Sequence, residues 1–378
     1  MKKKILITYA LYGNGHRAIA EYIENYFKKQ DPNLEILSLD LLKYSTPIIG
    51  DLSQKISNFL ILKFPIGWSL IYNLFDSRIS SEVASRFTTN LFRNKKMKKV
   101  ITDFNPDLTI STHFFGSSLI DLYNRKGFIN SKLITVVTDY EAHALWLKGS
   151  KHEQAIIVGD KDEIKNLVKK GVNPKIIKPY GIPIHPQTSS DFDVKKAIKK
   201  YEFSGNKPIC LFFGGGSVGG MMSLPYIKKM IKENLNMDII FVAGKNKQSK
   251  AKVDALIEEY NATNVKTLGF VNNVPELLQI ADFVVSKPGG AQTTECLYFK
   301  KPIIMINCTG GQEKANYKYF ERNGFGKRFR FTFTFMTFMK AISNNKSVLN
   351  KMKNNMNKNK SEQAMEKLYK TSINILKH

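Results

Sequence analysis

Cysteine is scarce in this sequence. Cys210, Cys296 and Cys308 are the three in 378 residues, with no CxxC pair, and two of them sit in apolar runs that read as buried strands, so a reducing, cytoplasmic setting is expected. Acidic residues are few beside the basic ones: 32 Asp and Glu stand against 58 Lys and Arg, a net charge of +26. That imbalance predicts an anionic partner, whether nucleic acid, anionic lipid or a phosphorylated ligand, and does not choose among them. A long uninterrupted apolar run is also missing. Residues 59–75 come nearest, but they include Lys63 and Pro65 and fall short of the ~20 residues a spanning helix needs. No transmembrane segment is therefore expected. The short run at 5–10 follows three lysines like a leader peptide, yet it flows into Gly13-Asn14-Gly15-His16 and is better read as a first strand.

What is present is a globular balance, 43% apolar and 24% charged, in a length that suits two domains of about 150–200 residues. Strand-like runs alternate with helical patterns in two series, which predicts the α/β class with parallel sheets and crossover helices. The expected strands are 5–10, 34–39, 107–111, 132–138 and 155–158, then 208–213, 238–243, 265–268, 283–286 and 302–306. Two Rossmann-like domains facing across a cleft would result, at 1–182 and 205–345, joined by a polar, proline-bearing linker at 183–204. In the tail, Leu349, Met352, Met356, Met365, Leu368 and Ile375 fall at helical spacing, so 346–378 is expected to form C-terminal helices able to pack back on the N-terminal domain. A frayed basic tail is the alternative.

The glycine loops carry the chemistry. Gly13-Asn14-Gly15-His16-Arg17-Ala18 fits GxGxxA, and Asp40 closes the second strand as a dinucleotide fold would want. An imidazole at 16 would crowd the pyrophosphate, however, and a near-neutral side chain at the first turn of a helix suits a general base instead. A satisfied capping residue is the alternative for His16. In the second half, a buried strand runs into Gly214-Gly215-Gly216-Ser217, where backbone amides converge on an anion and Ser217 adds a hydroxyl. Ser286-Lys287-Pro288-Gly289-Gly290 forms another tight turn before a helix carrying Thr293 and Glu295, the latter placed to accept both hydroxyls of a ribose. Gly311-Gln312-Glu313-Lys314-Ala315-Asn316 supplies amides and a carboxylate suited to sugar hydroxyls. Asp160-Lys161-Asp162 and Asp191-Phe192-Asp193 raise a metal reading, but each lacks a full ligand set, and no metal or other cofactor is expected.

These motifs in this order resemble the diacylglycerol glycosyltransferase family, which holds monogalactosyl- and glucosyl-diacylglycerol synthases and is related to the muramyl-lipid N-acetylglucosaminyltransferases. GNGHRAIA, TDYEAHALW, YGIPI, FGGGSVGG, SKPGGAQTTE and GQEKAN carry the likeness across nearly the whole chain. The resemblance implies a GT-B fold with an N-terminal acceptor- and membrane-binding domain and a C-terminal UDP-sugar domain. It implies an inverting, metal-independent hexosyl transfer from UDP-glucose or UDP-galactose to diacylglycerol, by a peripheral protein at the cytoplasmic face of the membrane. His16 matches the catalytic base, with Asp139 assisting it. Gly15, the loop 214–217, Phe270, Val271, Pro288, Gly289, Gly290, Thr293, Glu295, Gln312, Glu313 and Asn316 match donor contacts. His143 and Trp146 match the acceptor side. His113 either joins them or is a core histidine.

Phe59, Phe64 and Trp68 lie in a strongly apolar region, and Lys95, Lys96, Lys98 and Lys99 lie in a stretch, 83–100, free of acidic residues. An apolar wedge beside a basic face suits anionic lipid; an ordinary core with solvated lysines is the alternative. A nucleic-acid-binding protein would share the charge, but no recognisable binding module is present. A transferase using UDP-GlcNAc and another lipid-linked acceptor, and an NAD-dependent oxidoreductase, are the remaining readings. The segment 329–338, rich in Phe and Thr, matches nothing the family requires.

Overall fold

The computed structural model describes residues 2–11, 14–44, 67, 74–147, 153–187, 192–215, 219–308 and 310–377. The chain divides into two compact units, one of Met1–His185, Thr309–Ala315 and Lys360–His378, the other of Pro186–Cys308 and Asn316–Asn359.

In the first unit the described strands are β1 (Lys4–Tyr9), β2 (Glu35–Asp40), β3 (Leu108–Ser111), β4 (Lys132–Val136), β5 (Glu153–Ile157) and β6 (Ile177–Lys178). They form a parallel sheet in the order β2-β1-β3-β4-β5-β6. Ile5, Leu6 and Ile7 are all fully buried, since a sheet covered on both faces leaves no side for polar alternation. The helix Asn14–Gln30 turns Ile19, Ile23 and Phe27 inward at four-residue spacing. Against it packs the last helix, Ala364–Lys377. Phe27 meets Tyr369 edge to face at 5.0 Å, and Lys132 Nζ donates to Ile375 O at 2.7 Å.

In the second unit β7 (Ile209–Phe213), β8 (Asp238–Val242), β9 (Val265–Leu268), β10 (Phe283–Ser286), β11 (Ile303–Met305) and β12 (Gly326–Arg328) run parallel in the order β12-β11-β10-β7-β8-β9. Phe212, Phe241, Phe283 and Phe335 fill its core. The Phe- and Thr-rich segment thus finds a role in packing: it becomes the helix Thr332–Asn344, with Phe335, Met336, Met339 and Ile342 buried and Phe335 edge to face with Tyr226 at 5.1 Å. The helix Ser347–Asn357 follows, its Leu349, Met352 and Met356 buried. The stretch read as a linker holds a helix of its own, Val194–Lys200, because Asp193 caps it by accepting from Lys195 N and Lys196 N. Among the described residues no helix is long and apolar enough to cross a membrane.

One buried carboxyl makes the first unit pH-sensitive. Glu153, at the start of β5, accepts from Thr135 Oγ1, and Ser117 Oγ lies 2.6 Å from that same hydroxyl. Burial pushes the Glu153 carboxyl up to about 8, with Asp121 adding to the shift and the Thr135 bond opposing it. A carboxyl that keeps its proton when folded and loses it when unfolded makes folding weaker as pH rises between the two pKa values. The contribution of Glu153 to stability against urea is therefore expected to fall from about pH 5 to about pH 8, opposite in sign to that of the buried His16 and His113, whose lowered pKa values favour the folded state as pH rises. In Glu153→Gln that part of the slope should vanish.

Candidate active site

His16 lies in the first turn of the helix after β1, and its Nδ1 is 2.8 Å from Thr112 O, just beyond β3, and 2.9 Å from Thr138 Oγ1, just beyond β4. The carboxyl ends of three neighbouring strands thus hold one imidazole, at the edge of a parallel sheet where ligands bind in such folds. A carbonyl only accepts, so the Nδ1 of neutral His16 carries the hydrogen and Nε2 keeps its lone pair. Burial lowers the His16 pKa, while the Asp139 charge and the bond to Thr112 oppose the shift. The ring is neutral and basic near pH 7, and the partly buried Asp139 favours the cation that forms when it takes a proton.

His113 is buried and caps the helix Phe114–Arg125, its Nδ1 accepting from Phe115 N at 3.3 Å. Its neutral ring therefore carries the hydrogen on Nε2, the opposite tautomer to His16. The two rings meet edge to face at 4.8 Å, and burial, aided by His16, drives the His113 pKa well down. Trp146 stands 6.3 Å from both rings. His143 is buried, its Nδ1 accepting from Leu145 N.

Sequence reasoning missed the clamp behind this loop. Asp76 Oδ1 accepts from Ala144 N at 2.8 Å and Lys170 Nζ at 2.7 Å and lies 3.8 Å from His143 Nε2. Glu163 Oε2 accepts from Ala142 N at 2.7 Å. Nothing in the local sequence ties residue 76 to residue 144, which only the fold brings together. Asp76→Ala is expected to cut turnover by roughly tenfold to a hundredfold by letting the loop shift, with UDP affinity unchanged in titration calorimetry.

In the second unit β7 is followed by Gly214, where a Cβ would lie 2.7 Å from the Phe241 ring. Gly215 has φ +88°, a left-handed conformation that glycine adopts without strain. Gly216 and Ser217 lie outside the described residues. Ser223, another residue the sequence reading passed over, donates to Gly214 O at 3.0 Å and accepts from Asn307 Nδ2 at 2.9 Å, tying the ends of β7 and β11. After β10, Gly289 precedes the helix Gly290–Tyr298, and among the described residues no side chain caps its first amides, which stand at the positive end of the helix where an anion is favoured. Asn316 Nδ2 braces this turn by donating to Pro288 O at 3.0 Å. Thr293 Oγ1 is turned back to Gly289 O at 2.9 Å, a backbone contact of its own helix. Glu295 is buried, and Gln292 Nε2 approaches its Oε2 at 3.5 Å. Phe270, in the loop after β9, is 60% exposed, with Lys245 Nζ over its ring at 5.4 Å. Val271 beside it is partly buried, as are Gly15 and Gln312, while Glu313 is buried.

Of the expected membrane residues, Phe59, Phe64 and Trp68 lie outside the described residues. The four lysines lie on the helix Lys95–Phe104, which buries Met97 and Ile101 and exposes Lys95, Lys96 and Lys99. Lys98 Nζ sits 3.2 Å from the centre of the Phe128 ring. Leu74, Val83 and Phe87 are exposed in the same unit, at 64–70%. Among the described residues no group of His, Cys, Asp or Glu is assembled as a metal site.

Solved structures place the fold in the GT-B class. MurG of Acinetobacter baumannii aligns over 97% of this chain and 98% of its own with a TM-score of 0.59 at 13% identity. The UDP-GlcNAc 2-epimerase of Neisseria meningitidis, bound to UDP-GlcNAc, aligns over 98% and 100% with 0.62 at 14%. At such identities the likeness concerns fold alone. The sequence model for Monogalactosyldiacylglycerol (MGDG) synthase matches residues 16–184, and that for the Glycosyltransferase family 28 C-terminal domain matches 210–372. A processive diacylglycerol beta-glucosyltransferase of Bacillus pumilus is 31% identical over 327 residues, 85% of this chain and 82% of that one. Its counterpart in Staphylococcus epidermidis is 27% identical over 100% of this chain and 94% of its own. The chain belongs to the diacylglycerol glycosyltransferase family.

Proposed function

We propose that this enzyme transfers glucose from UDP-glucose to diacylglycerol, and onward to glucosyl-diacylglycerol, with inversion at the anomeric carbon. The observation that carries the reading is the 2.8 Å contact of His16 Nδ1 with Thr112 O: because a carbonyl only accepts, it assigns the hydrogen of the neutral ring to Nδ1 and leaves Nε2 able to accept a proton. In the proposed reaction Nε2 takes the proton of the lipid hydroxyl as its oxygen bonds to the anomeric carbon. The bond from that carbon to the diphosphate oxygen breaks, and UDP leaves with the electron pair. Asp139 stabilises the imidazolium. The amides that open the helix Gly290–Tyr298, with the loop 214–217, meet the charge growing on the diphosphate. Glu295 holds the ribose, Phe270 and Val271 flank the uracil, and Gln312 and Glu313 hold the sugar. His143 and Trp146, beside His113, line the acceptor side. The helix Lys95–Phe104, with Phe59, Phe64 and Trp68, attaches the protein peripherally to anionic lipid on the cytoplasmic face.

Glucose is preferred because the relatives above are named beta-glucosyltransferases, while the N-terminal match to MGDG synthase makes galactose the second donor to try. Labelled UDP-glucose and UDP-galactose, each with diacylglycerol in anionic vesicles and EDTA present, separate the cases. Labelled glucolipid is the expected product. Folded protein that binds UDP yet labels diacylglycerol from neither donor would refute the acceptor.

A further inference from the structure

From Arg322 to Lys360 the chain carries ten basic residues and no Asp or Glu. This stretch forms β12 and the helices Thr332–Asn344 and Ser347–Asn357 of the second unit, and its phenylalanines divide into two sets. Phe325, Phe329 and Phe335 are buried, with Phe338 partly buried against the core. Phe331 is 63% exposed and Phe333 76% exposed.

The turn that presents them is held in place, since Tyr226 OH donates to Arg330 O at 3.2 Å. Thr334 Oγ1 donates to Phe331 O at 3.1 Å and Thr337 Oγ1 to Phe333 O at 3.2 Å, so both hydroxyl hydrogens are used within the helix. Two exposed aromatic rings thus stand among threonines whose hydroxyl hydrogens are used within the helix, with charge close by: the Arg330 guanidinium lies 5.6 Å from the Phe331 ring, and Lys327 Nζ lies 5.5 and 5.4 Å from the Phe329 and Phe338 rings. Lys340 and Lys346 are paired with Glu233 and Asp282, but Lys351 and Lys353 are exposed along the next helix.

We propose that this turn and the helix it opens form a second membrane-contact surface, separate from the lysines of the helix Lys95–Phe104. Phe331 and Phe333 enter the headgroup layer of an anionic bilayer, and Lys327, Arg330 and the lysines of Ser347–Asn357 hold lipid phosphates. Hydrocarbon fits the patch better than nucleic acid, because the two threonine hydrogens beside the rings are already donated within the helix and are not available to a base edge. A second copy of the chain would bring like charge against like charge. The inference deepens the lipid-acceptor reading, but its test measures binding alone and so stands or falls apart from catalysis.

The test compares the parent with Phe331→Ser/Phe333→Ser by co-sedimentation with phosphatidylglycerol–phosphatidylcholine vesicles, with UDP affinity as the check on folding. Binding about tenfold weaker, with unchanged UDP affinity, is expected. In parallel, an environment-sensitive fluorophore on Phe333→Cys, with the parent's own cysteines as background, should shift to the blue on anionic vesicles and not on neutral ones. Full vesicle binding by the double variant, or a label that stays in water on bound protein, would overturn the proposal. So would a parent dimer that the substitutions split, or oligonucleotide binding lost in place of vesicle binding. Loss of sugar transfer to detergent-dispersed diacylglycerol by the parent would instead strike the acceptor reading.

Discussion

His16→Ala is expected to lower sugar transfer by about 10²–10⁴-fold while UDP binds as before. The loss should fall on turnover, because the imidazole serves the attacking hydroxyl and the UDP contacts are proposed for the second unit. His16→Gln is the sharper variant: it keeps a donor toward Thr112 O but has no lone pair basic enough to take the proton, so it should be as inactive as alanine. The pH profile carries the sign of the shift. Burial lowers the His16 pKa, and the base works only when neutral, so the rate should hold level through neutrality and decline only in acid, below the usual imidazole range near 6.5. Asp139→Asn removes the charge that favours the imidazolium. The falling limb should move further into acid, with lower turnover on the plateau. A structural histidine would leave that limb in place.

The second large effect is expected at Glu295. A buried carboxylate that accepts two ribose hydroxyls forms charge-assisted bonds. Glu295→Ala should therefore weaken UDP by roughly 10–100-fold, on the order of 1.5–3 kcal/mol, in titration calorimetry. Glu295→Gln keeps one acceptor and should fall between. The buried position, beside Gln292 Nε2, makes a folding control necessary, and the thermal midpoint without ligand supplies it. An affinity for UDP equal to the parent's would reduce Glu295 to a packing residue.

The inner strands were legible because a parallel sheet covered by helices writes itself as continuous apolar runs such as Ile5-Leu6-Ile7 and Phe283-Val284-Val285. The edge strands β6 and β12 were not, since Ile177-Lys178 and Gly326-Lys327-Arg328 are too short and too polar to signal a strand. The helix Val194–Lys200 hid inside a linker reading although Asp193 announces it as an N-cap. At the candidate site, glycine loops and His16 stand out by type and position. Asp76, Lys170, Ser223 and Asn307 do not, because their roles arise from contacts spanning 67–94 positions, as between Asp76 and His143 or Lys170. No spacing rule reaches so far. The basic and apolar composition on which the membrane reading rests is visible in the sequence, whereas the exposure of Phe331 and Phe333 beside the buried Phe329 and Phe335 needed the helix register.

The measurement that bears most directly on the account is the anomeric configuration of the lipid product made from UDP-α-glucose, read from the proton coupling at the anomeric carbon. A single displacement with His16 as base predicts the β-glucoside from the parent and only trace product from His16→Ala. An α-glucoside, or β-glucoside formed at the parent's rate without the imidazole, would contradict it.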